Sequence, residues 1–267
     1  MHPIEFPGLG LTFSLNPIAF SVFGINVHWY GLIIGFGFLL SYTLAYKQSH
    51  KFDIDKKDVT DMILYTLPIS IGGARIYYVL FSWNNYINNP FEIIKIWHGG
   101  LAIYGGILTA IIVVFLFAKK RHIKVLKLFD FLVPYLALGQ SIGRWGNFVN
   151  QEAYGSQTNL PWRMGIYDDL THQVMNVHPT FLYESVWNIL LFAFLIWFRK
   201  QKKFDGEGIS LYLSLYGFAR FFIEGLRTDS LYMGAFRISQ VLAGICFLTF
   251  SSIFVIRRIL SDKNTIE

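Results

Sequence analysis

Long runs of apolar residues alternate with short polar segments along almost the whole chain. Seven of these runs are about 20 residues long, which is the length that an α-helix needs to cross the roughly 30 Å hydrocarbon core of a bilayer. They predict transmembrane helices over approximately residues 27–46, 62–83, 99–118, 126–149, 180–198, 208–226 and 236–256. A shorter apolar stretch, residues 8–23, is interrupted by Asn16 and Pro17, so it predicts an interfacial or re-entrant segment and is not counted as a span.

The composition also favours a membrane protein. Of the 267 residues, 54% are hydrophobic and only 15% are charged, whereas soluble domains usually contain roughly 25% charged residues. This composition argues against a soluble enzyme and excludes a disordered chain. The single cysteine, Cys246, excludes a disulfide scaffold. The seven histidines show no metal-binding spacing, so we expect no metal and no other cofactor.

The Lys and Arg residues are distributed unevenly between the predicted loops. Sixteen of the 23 fall within residues 47–57, 119–127, 199–203 and 257–263, which would share one side of the membrane. The opposite side holds only Lys95, Arg163, Arg227 and Arg237. Because cytoplasmic loops carry the excess of basic residues, the N-terminus is expected outside and the C-terminus in the cytoplasm. This asymmetry explains the net charge of +6 better than a nucleic-acid patch does, so we expect no nucleic-acid partner.

These patterns together predict an all-α integral membrane protein with seven transmembrane helices. The polar segment 150–179, which is punctuated by Gly and Pro, is expected to form a small extracytoplasmic cap on a single polytopic membrane domain, residues 1–267. Residues 1–26 contain no Lys or Arg, so they lack the basic region of a secretory signal peptide. We therefore expect the first apolar segment to remain in the mature protein.

Charged side chains inside the predicted spans need a partner or a function, since each costs roughly 2.5–3.5 kcal/mol on insertion scales. The predicted orientation places all of them in the outer halves of their helices, together with several polar residues, whereas the inner halves are largely hydrocarbon. The charged residues are Arg75, Arg144, Glu184, Arg220 and Glu224, and the polar ones include His28, Tyr30, His98 and Tyr104. This distribution argues against a polar path that crosses the whole membrane.

Two predicted helices each carry a polar stripe on one face. Residues spaced by three or four share a helix face, and the stripes consist of Gln140, Arg144 and Asn147 on the fourth helix, with Glu152 following, and of Tyr216, Arg220, Glu224 and Arg227 on the sixth. Two opposed arginine faces suit a phospholipid headgroup, because guanidinium binds phosphate in a bidentate manner. The structural alternative pairs Arg220 with Glu224, and Arg144 with Glu184 or Glu152. Ser141 lies in a G-x-S-x-G pattern, but no suitably placed histidine base supports an intramembrane protease.

Residues 143–152, Gly-Arg-Trp-Gly-Asn-Phe-Val-Asn-Gln-Glu, resemble the signature of bacterial prolipoprotein diacylglyceryl transferases. Similar blocks at 28–31, 72–75, 98–106, 178–184 and 216–227 follow in the family's order. The resemblance implies an enzyme of the bacterial cytoplasmic membrane that transfers the diacylglyceryl group of phosphatidylglycerol to the lipobox cysteine of an exported prolipoprotein. A thioether and glycerol 1-phosphate would be the products.

The resemblance also implies roles for individual residues. Arg144 would bind phosphatidylglycerol, and Arg220 would be a second essential arginine near the phosphate. Further implicated positions are Tyr30, Asn147, Glu152, Glu184, Tyr216, Glu224 and Arg227, and we add Arg75 and His28 from the matching blocks as substrate-binding residues. Tyr104 replaces a histidine that many members have and that has been proposed as the base. Because a phenol is a poor base at neutral pH, we expect Tyr104 to orient the substrate.

The thiol would then be activated by the arginine field or by a carboxylate such as Glu152 or Glu224. Two other classes of protein fit parts of the same pattern. A phospholipid or anion transporter could use the same arginines to bind phosphate without chemistry, but it should expose polar residues along both halves of the membrane. A purely structural membrane protein should tolerate replacement of an arginine whose carboxylate partner is removed too.

Overall fold

The computed structural model describes residues 3–168 and 171–263, and it is mostly helical. Within these ranges each of the seven predicted apolar runs coincides with a helix: α1 (Trp29–Gln48), α2 (Lys56–Phe81), α3 (Ile103–Lys120), α4 (Val125–Asn150), α5 (Thr180–Phe198), α6 (Glu207–Leu226) and α7 (Ile238–Lys263). Of these helices, α1 to α5 and α7 are long and apolar enough to cross a membrane. Helix α6 carries Arg220 and Glu224 among its apolar residues, so the seventh span stays a prediction.

Short β-strands correct the expectation of an all-α fold. The described ranges contain β1 (Ile4–Phe6), β2 (Leu11–Phe13), β3 (Ile18–Val22), β4 (Ile25–His28), β5 (Met164–Asp168), β6 (Gln173–Val177), β7 (Tyr232–Met233) and β8 (Phe236–Arg237). An antiparallel sheet has the order β2-β1-β5-β6, and β3–β4 and β7–β8 are separate hairpins. The predicted cap segment 150–179 thus contributes β5 and β6, and the N-terminal residues supply the other two strands of the same sheet.

Residues 8–23, which the sequence suggested as an interfacial or re-entrant segment, form β2 and β3. The side-chain oxygen of Asn16 accepts a hydrogen bond from the Ile18 amide at 2.9 Å, which turns the chain before β3. Phe23 and Gly24 both have positive φ, 49° and 79°, and together they connect β3 to β4. Two positive φ values match the tight turn that antiparallel hairpins favour.

The chain forms two compact units, whose boundaries fall inside α1 and α4. The larger unit comprises the part up to Leu44 and the part from Phe129 onward, and the smaller unit is Ala45–Leu128. The charged candidates on α4, α5 and α6 belong to the larger unit, whereas Arg75 and Tyr104 belong to the smaller one. The single polytopic domain stays a prediction.

Two apolar clusters hold the larger unit together. The first joins the sheet to the adjoining ends of α4 and α5 through Ile4, Phe6, Phe148, Val149, Met164, Ile166, Val177 and Phe181. The second joins α4, α5 and α6 through Val133, Ala137, Leu191, Leu195, Phe198, Leu211 and Tyr212. Helix α5 therefore packs along one stripe against both α4 and α6, which brings the polar residues of the three helices together.

Large apolar side chains also cover much of the outside of the helices. Phe36 is 61% exposed, Leu190 is 60% exposed and Leu248 is 66% exposed. Soluble monomers rarely expose extensive apolar patches, whereas lipid tails solvate such surface. The protein is therefore a multi-pass membrane protein.

Buried acidic residues lie near the N-terminal ends of α4 and α6, which the predicted orientation places on the cytoplasmic side, where the sequence suggested little but hydrocarbon. Asp130 lies within the predicted span 126–149, and Glu207 is 0% exposed at the start of α6. The carboxylate of Asp130 accepts hydrogen bonds from the Gly206 and Ile209 amides at 2.7 and 2.9 Å. The expectation of plain hydrocarbon is therefore wrong for the inner half of span 126–149, whereas Glu207 lies just before span 208–226.

Candidate active site

Four charged side chains from α4, α5 and α6 form a continuous chain of ion pairs, which we call the arginine cluster. It consists of Arg144, Glu184, Arg220 and Glu224. Glu184 Oε1 lies 2.5 Å from Arg144 Nη2, and Glu184 Oε2 lies 2.8 Å from Arg220 Nη1. Arg220 Nη2 is 2.5 Å from Glu224 Oε2. The structure therefore contains both pairings of the structural alternative, Arg144 with Glu184 and Arg220 with Glu224, and Glu184 joins them into one cluster.

The spacing of residues along α6 explains how the cluster is assembled. Tyr216, Arg220 and Glu224 follow one another at intervals of four, so they share a helix face. The Tyr216 hydroxyl donates to Glu184 Oε1 at 3.2 Å. The Tyr216 ring stacks on Tyr212, with centroids 5.7 Å apart, and the Tyr212 hydroxyl donates to Gln140 Oε1 at 2.9 Å. The predicted polar faces of α4 and α6 therefore do oppose each other, with Glu184 of α5 between them.

Asn147 and Glu152 extend this polar region beyond the end of α4. The Asn147 side-chain amide donates to Glu152 Oε1 at 2.8 Å, and Asn147 Oδ1 accepts a longer hydrogen bond from Arg144 Nη1 at 3.3 Å. The Tyr30 ring lies against Gly146, where a Cβ atom would come within 2.7 Å of it. Any larger residue at position 146 would displace the ring.

Arg227 follows directly after α6 and forms a bidentate pair with Asp229. Its Nε and Nη2 atoms donate to the two carboxylate oxygens at 2.9 and 2.6 Å. These hydrogen bonds hold the pKa of Asp229 below its usual value. The adjoining chain is attached to the cap, since the Ser156 amide donates to the Leu226 carbonyl at 2.7 Å. Sequence analysis missed Asp229, although its position two residues after Arg227 was a visible signal.

Ser141, the serine of the G-x-S-x-G pattern, forms part of a helix contact. Its hydroxyl donates to the Ser185 carbonyl at 2.8 Å, and the Ser185 hydroxyl donates to the Ser141 carbonyl at 2.9 Å. The Trp145 indole also donates to the Ser185 hydroxyl at 3.1 Å. These bonds hold α4 against α5 directly beneath the arginine cluster, and they explain the serine without a nucleophilic role.

In the smaller unit, Arg75 donates hydrogen bonds to four backbone carbonyls. Its Nε bonds Ile93 at 2.8 Å, Nη2 bonds Glu92 at 2.6 Å, and Nη1 bonds Gly99 and Gly100 at 2.6 and 2.9 Å. Arg75 is only 6% exposed. The guanidinium therefore fastens the chain that leads into α3.

The remaining candidates are Tyr104 and His28. Tyr104 lies in the first turn of α3, in the smaller unit. His28 is an exposed residue at the end of β4, in the larger unit. His178, just before α5, is also in the larger unit, and burial lowers its pKa.

The arginine cluster combines two guanidinium groups with two carboxylates. Its two cations and two anions neutralise each other, and each guanidinium presents a fork of N–H donors that fits phosphate or carboxylate oxygens. Within residues 3–168 and 171–263, no three His, Cys, Asp or Glu side chains converge as a metal site would require. The side chains of the cluster themselves offer hydrogen bonding, charge and proton transfer.

Comparison with known proteins identifies the family. A family model described as prolipoprotein diacylglyceryl transferase matches residues 17–256. A phosphatidylglycerol–prolipoprotein diacylglyceryl transferase of Finegoldia magna is 49% identical over 230 residues, which cover 86% of this chain and 90% of the relative. Proteins of the same name from Listeria innocua and Clostridium novyi are 42% and 41% identical, over 92% and 95% of this chain and 91% and 100% of their own. These matches confirm the resemblance seen in the sequence, and the chain belongs to the prolipoprotein diacylglyceryl transferase family.

Proposed function

We propose that this protein transfers the diacylglyceryl group of phosphatidylglycerol to the thiol of the lipobox cysteine of a prolipoprotein. A thioether forms, glycerol 1-phosphate is released, and the modified protein enters lipoprotein maturation. The names of the relatives support both substrates in general terms. The observation that carries the proposal is the pair of arginines, Arg144 and Arg220, held on opposite oxygens of one buried carboxylate. Two guanidinium groups at this separation can hold two oxygens of one phosphate.

The reaction needs a nucleophile, a carbon and a stabilised leaving group. The cysteine thiolate attacks the glycerol carbon that carries the phosphate ester, and the bond between that carbon and the phosphate oxygen breaks. Negative charge then develops on the phosphate, which Arg144 and Arg220 stabilise in a site with little water. Two opposing arginines therefore serve both lipid binding and catalysis.

The other candidates have supporting roles in this proposal. Tyr216 and Glu224 orient the arginines from α6, and Asn147 and Glu152 line the approach at the end of α4. Arg227 contributes positive charge beside this approach, and Tyr30 packs against α4 next to it. Tyr104 orients the substrate, and His28 and Arg75 belong to the matching blocks that we assign to substrate binding. The hydrogen bonds of Arg75 favour an indirect role in substrate binding, since this side chain organises the segment before α3.

We place the protein in the bacterial cytoplasmic membrane, with seven spans, the N-terminus outside and the sheet β2-β1-β5-β6 as an extracytoplasmic cap. The uneven distribution of Lys and Arg supports this orientation. It puts the arginine cluster at the level of the outer leaflet, where both phosphatidylglycerol and an exported prolipoprotein with its signal peptide are accessible. Such a site does not require a polar path that crosses the whole membrane.

The decisive experiment reconstitutes the purified protein with phosphatidylglycerol and a lipobox peptide and follows the release of glycerol phosphate. Release should require the peptide cysteine and should be abolished by Arg144→Ala. Arg121→Ala is a matched control, because this arginine pairs with Asp58 and Asp61 in the smaller unit. A folded wild-type protein that binds the lipid, or moves it across the membrane, without releasing glycerol phosphate would instead indicate the transporter alternative.

A further inference from the structure

The carboxylate of Glu184 lies between the two arginines to which the proposed function assigns the lipid phosphate. One of its oxygens lies 2.5 Å from Arg144 and the other lies 2.8 Å from Arg220. Two oxygens of a phosphodiester would bind a pair of arginines in the same way. The arginine cluster is therefore closed by an internal anion that resembles the substrate in charge and in spacing.

Each of the two arginines already directs N–H groups at neighbouring side chains. Arg144 Nη1 is directed to Asn147 at 3.3 Å, and Arg220 Nη2 is paired with Glu224 at 2.5 Å. The side chains of Arg144 and Arg220 are 23% and 16% exposed, whereas that of Glu184 is 4% exposed. A ligand can thus reach the arginines from the accessible side, but it binds the N–H groups that now hold Glu184 only if it displaces this carboxylate.

The charge balance of the cluster indicates the result of this competition. The formal charges of the two arginines and the two glutamates sum to zero. A bound phosphodiester adds one negative charge, for which the cluster has no matching cation. Excess negative charge in a low-dielectric site favours the uptake of a proton. Glu224 still has Arg220, whereas a displaced Glu184 has lost both of its ion-pair partners. Of its hydrogen-bond partners among the described residues, the Tyr216 hydroxyl remains, 3.2 Å away before displacement.

On the basis of the function proposed above, we propose that Glu184 is the proton acceptor of the reaction. It holds Arg144 and Arg220 in register until the lipid binds, the phosphate then displaces it, and the freed carboxylate takes the proton of the cysteine thiol. A base is thus produced only when the lipid is in place.

Every proton and electron pair that moves in this reaction has a donor and an acceptor within the site. The thiol proton moves to a Glu184 oxygen, and the sulfur electron pair forms the bond to the glycerol carbon. The carbon–oxygen bond to the phosphate breaks, and its electron pair remains on the phosphate oxygen between the arginines. The proton then passes from Glu184 to that phosphate. The restored carboxylate returns to the arginines and displaces glycerol phosphate.

The test separates lipid binding from proton transfer in Glu184→Gln, which keeps the shape of the side chain and removes its charge. Phosphatidylglycerol binding, titrated in detergent micelles without peptide, should stay equal or become tighter because the competing anion is gone. Turnover with the cysteine peptide should fall by about 10²- to 10⁴-fold, which is the usual contribution of a general base. With a selenocysteine peptide the deficit should shrink at least tenfold, since a selenol is ionised at neutral pH and needs no base.

Glu224→Gln provides the matched comparison, because among the described residues this carboxylate forms an ion pair with Arg220 and none with Arg144. Its deficit should be the same with both peptides. Weaker lipid binding by Glu184→Gln, or an equal deficit with both peptides, would overturn the assignment. If the amide variant does not fold, Glu184→Asp tests the lipid-binding half of the comparison alone, since it keeps a carboxylate but its shorter side chain cannot reach both arginines. It should bind lipid at least as tightly as wild type, and weaker binding would again contradict the proposal. A wild-type protein that modifies neither peptide would contradict the proposed function instead.

Discussion

The larger unit contains buried charge clusters at both ends of α4 and α6, and they are built differently. The arginine cluster lies near the C-terminal ends of these helices. The other, which we call the capping cluster, consists of Asp130, Lys202, Glu207 and Arg258 near their N-terminal ends. Asp130 accepts the Gly206 and Ile209 amides, and Glu207 accepts the Lys203 amide at 2.7 Å and Arg258 Nη1 at 2.8 Å.

The difference lies in the donors that the carboxylates use. In the capping cluster, both carboxylates accept backbone amides in addition to a side-chain cation. Asp130 accepts the Gly206 and Ile209 amides, which a helix N-terminus would otherwise leave unsatisfied, and Glu207 accepts the Lys203 amide. In the arginine cluster, Glu184 receives its hydrogen bonds from side chains, namely Arg144, Arg220 and Tyr216. Side-chain donors can be transferred to a ligand without unwinding a helix. Buried charge alone therefore does not indicate a functional site, and the nature of the partners does.

The largest effect on stability is expected for Glu207→Ala. Removing one partner of a buried ion pair leaves an uncompensated charge and costs about 3–5 kcal/mol, here on Arg258. Thermal unfolding in detergent should show this loss, and Glu207→Gln should lose less because it keeps an acceptor. Turnover per folded molecule should be unchanged. A variant that loses turnover but keeps the stability of the wild type would mean that the two clusters are not functionally distinct.

Arg220→Lys tests the opposite behaviour in the arginine cluster. Lysine keeps the positive charge but loses the planar fork that binds two anions at once. Turnover should fall on the order of 10²-fold, comparable to the loss of one oxyanion donor, with little change in melting temperature. Arg258→Lys is the matched change in the capping cluster, and it should lower the melting temperature without altering turnover. The reverse pattern would contradict the comparison.

The sequence predicts the helices far better than it predicts these partnerships. Apolar runs of about 20 residues locate all seven helices within the described ranges, because hydropathy follows directly from residue type. Arg144, Glu184 and Arg220 are also identifiable, since charge inside a span is rare. The bridging position of Glu184 depends on how α5 packs between α4 and α6, and hydropathy does not specify helix contacts.

Two further features depend on contacts between residues distant in sequence. The charge of Asp130 inside a predicted span was a visible signal that the sequence analysis overlooked, but its partners are backbone amides 76 and 79 residues away, and a backbone amide has no sequence signature. Strand β1 pairs with β2 and also, through Glu5 and Gly165, with the β5–β6 hairpin more than 150 residues later. The three-residue length of β1 and β2 is too short for a periodic pattern to reveal them.

Arg75→Lys separates the structural role of this residue from the substrate-binding role that the sequence suggested. A lysine cannot reach all four carbonyls, and each lost hydrogen bond to a charged donor costs about 1.5–3 kcal/mol. The free energy of unfolding should therefore fall by about 2–3 kcal/mol, whereas the affinity for phosphatidylglycerol should stay the same. A loss of lipid affinity at unchanged stability would support direct substrate binding.

Tyr104→Phe removes only a hydroxyl, and we expect turnover to fall less than about tenfold. A single neutral hydrogen bond contributes about 0.5–1.5 kcal/mol, which suits a residue that orients the substrate. The release of glycerol phosphate at saturating lipid gives the measurement. A loss of 100-fold or more would show that the phenol takes part in proton transfer, and it would count against Glu184 as the proton acceptor.

The smallest effect is expected one helical turn from Glu184, at Asn188. This side chain is 0% exposed, and neither of its amide atoms has a hydrogen-bond partner among the described residues. Its position between Glu184 and the apolar Leu191 marks where the polar face of α5 ends. Asn188→Leu replaces an unsatisfied buried amide with an apolar group of similar size, so it should raise the free energy of unfolding by up to about 1 kcal/mol and leave turnover unchanged. A fall in turnover with this gain in stability would mean that the amide contributes to the site, and the arginine cluster would then extend one turn deeper along α5.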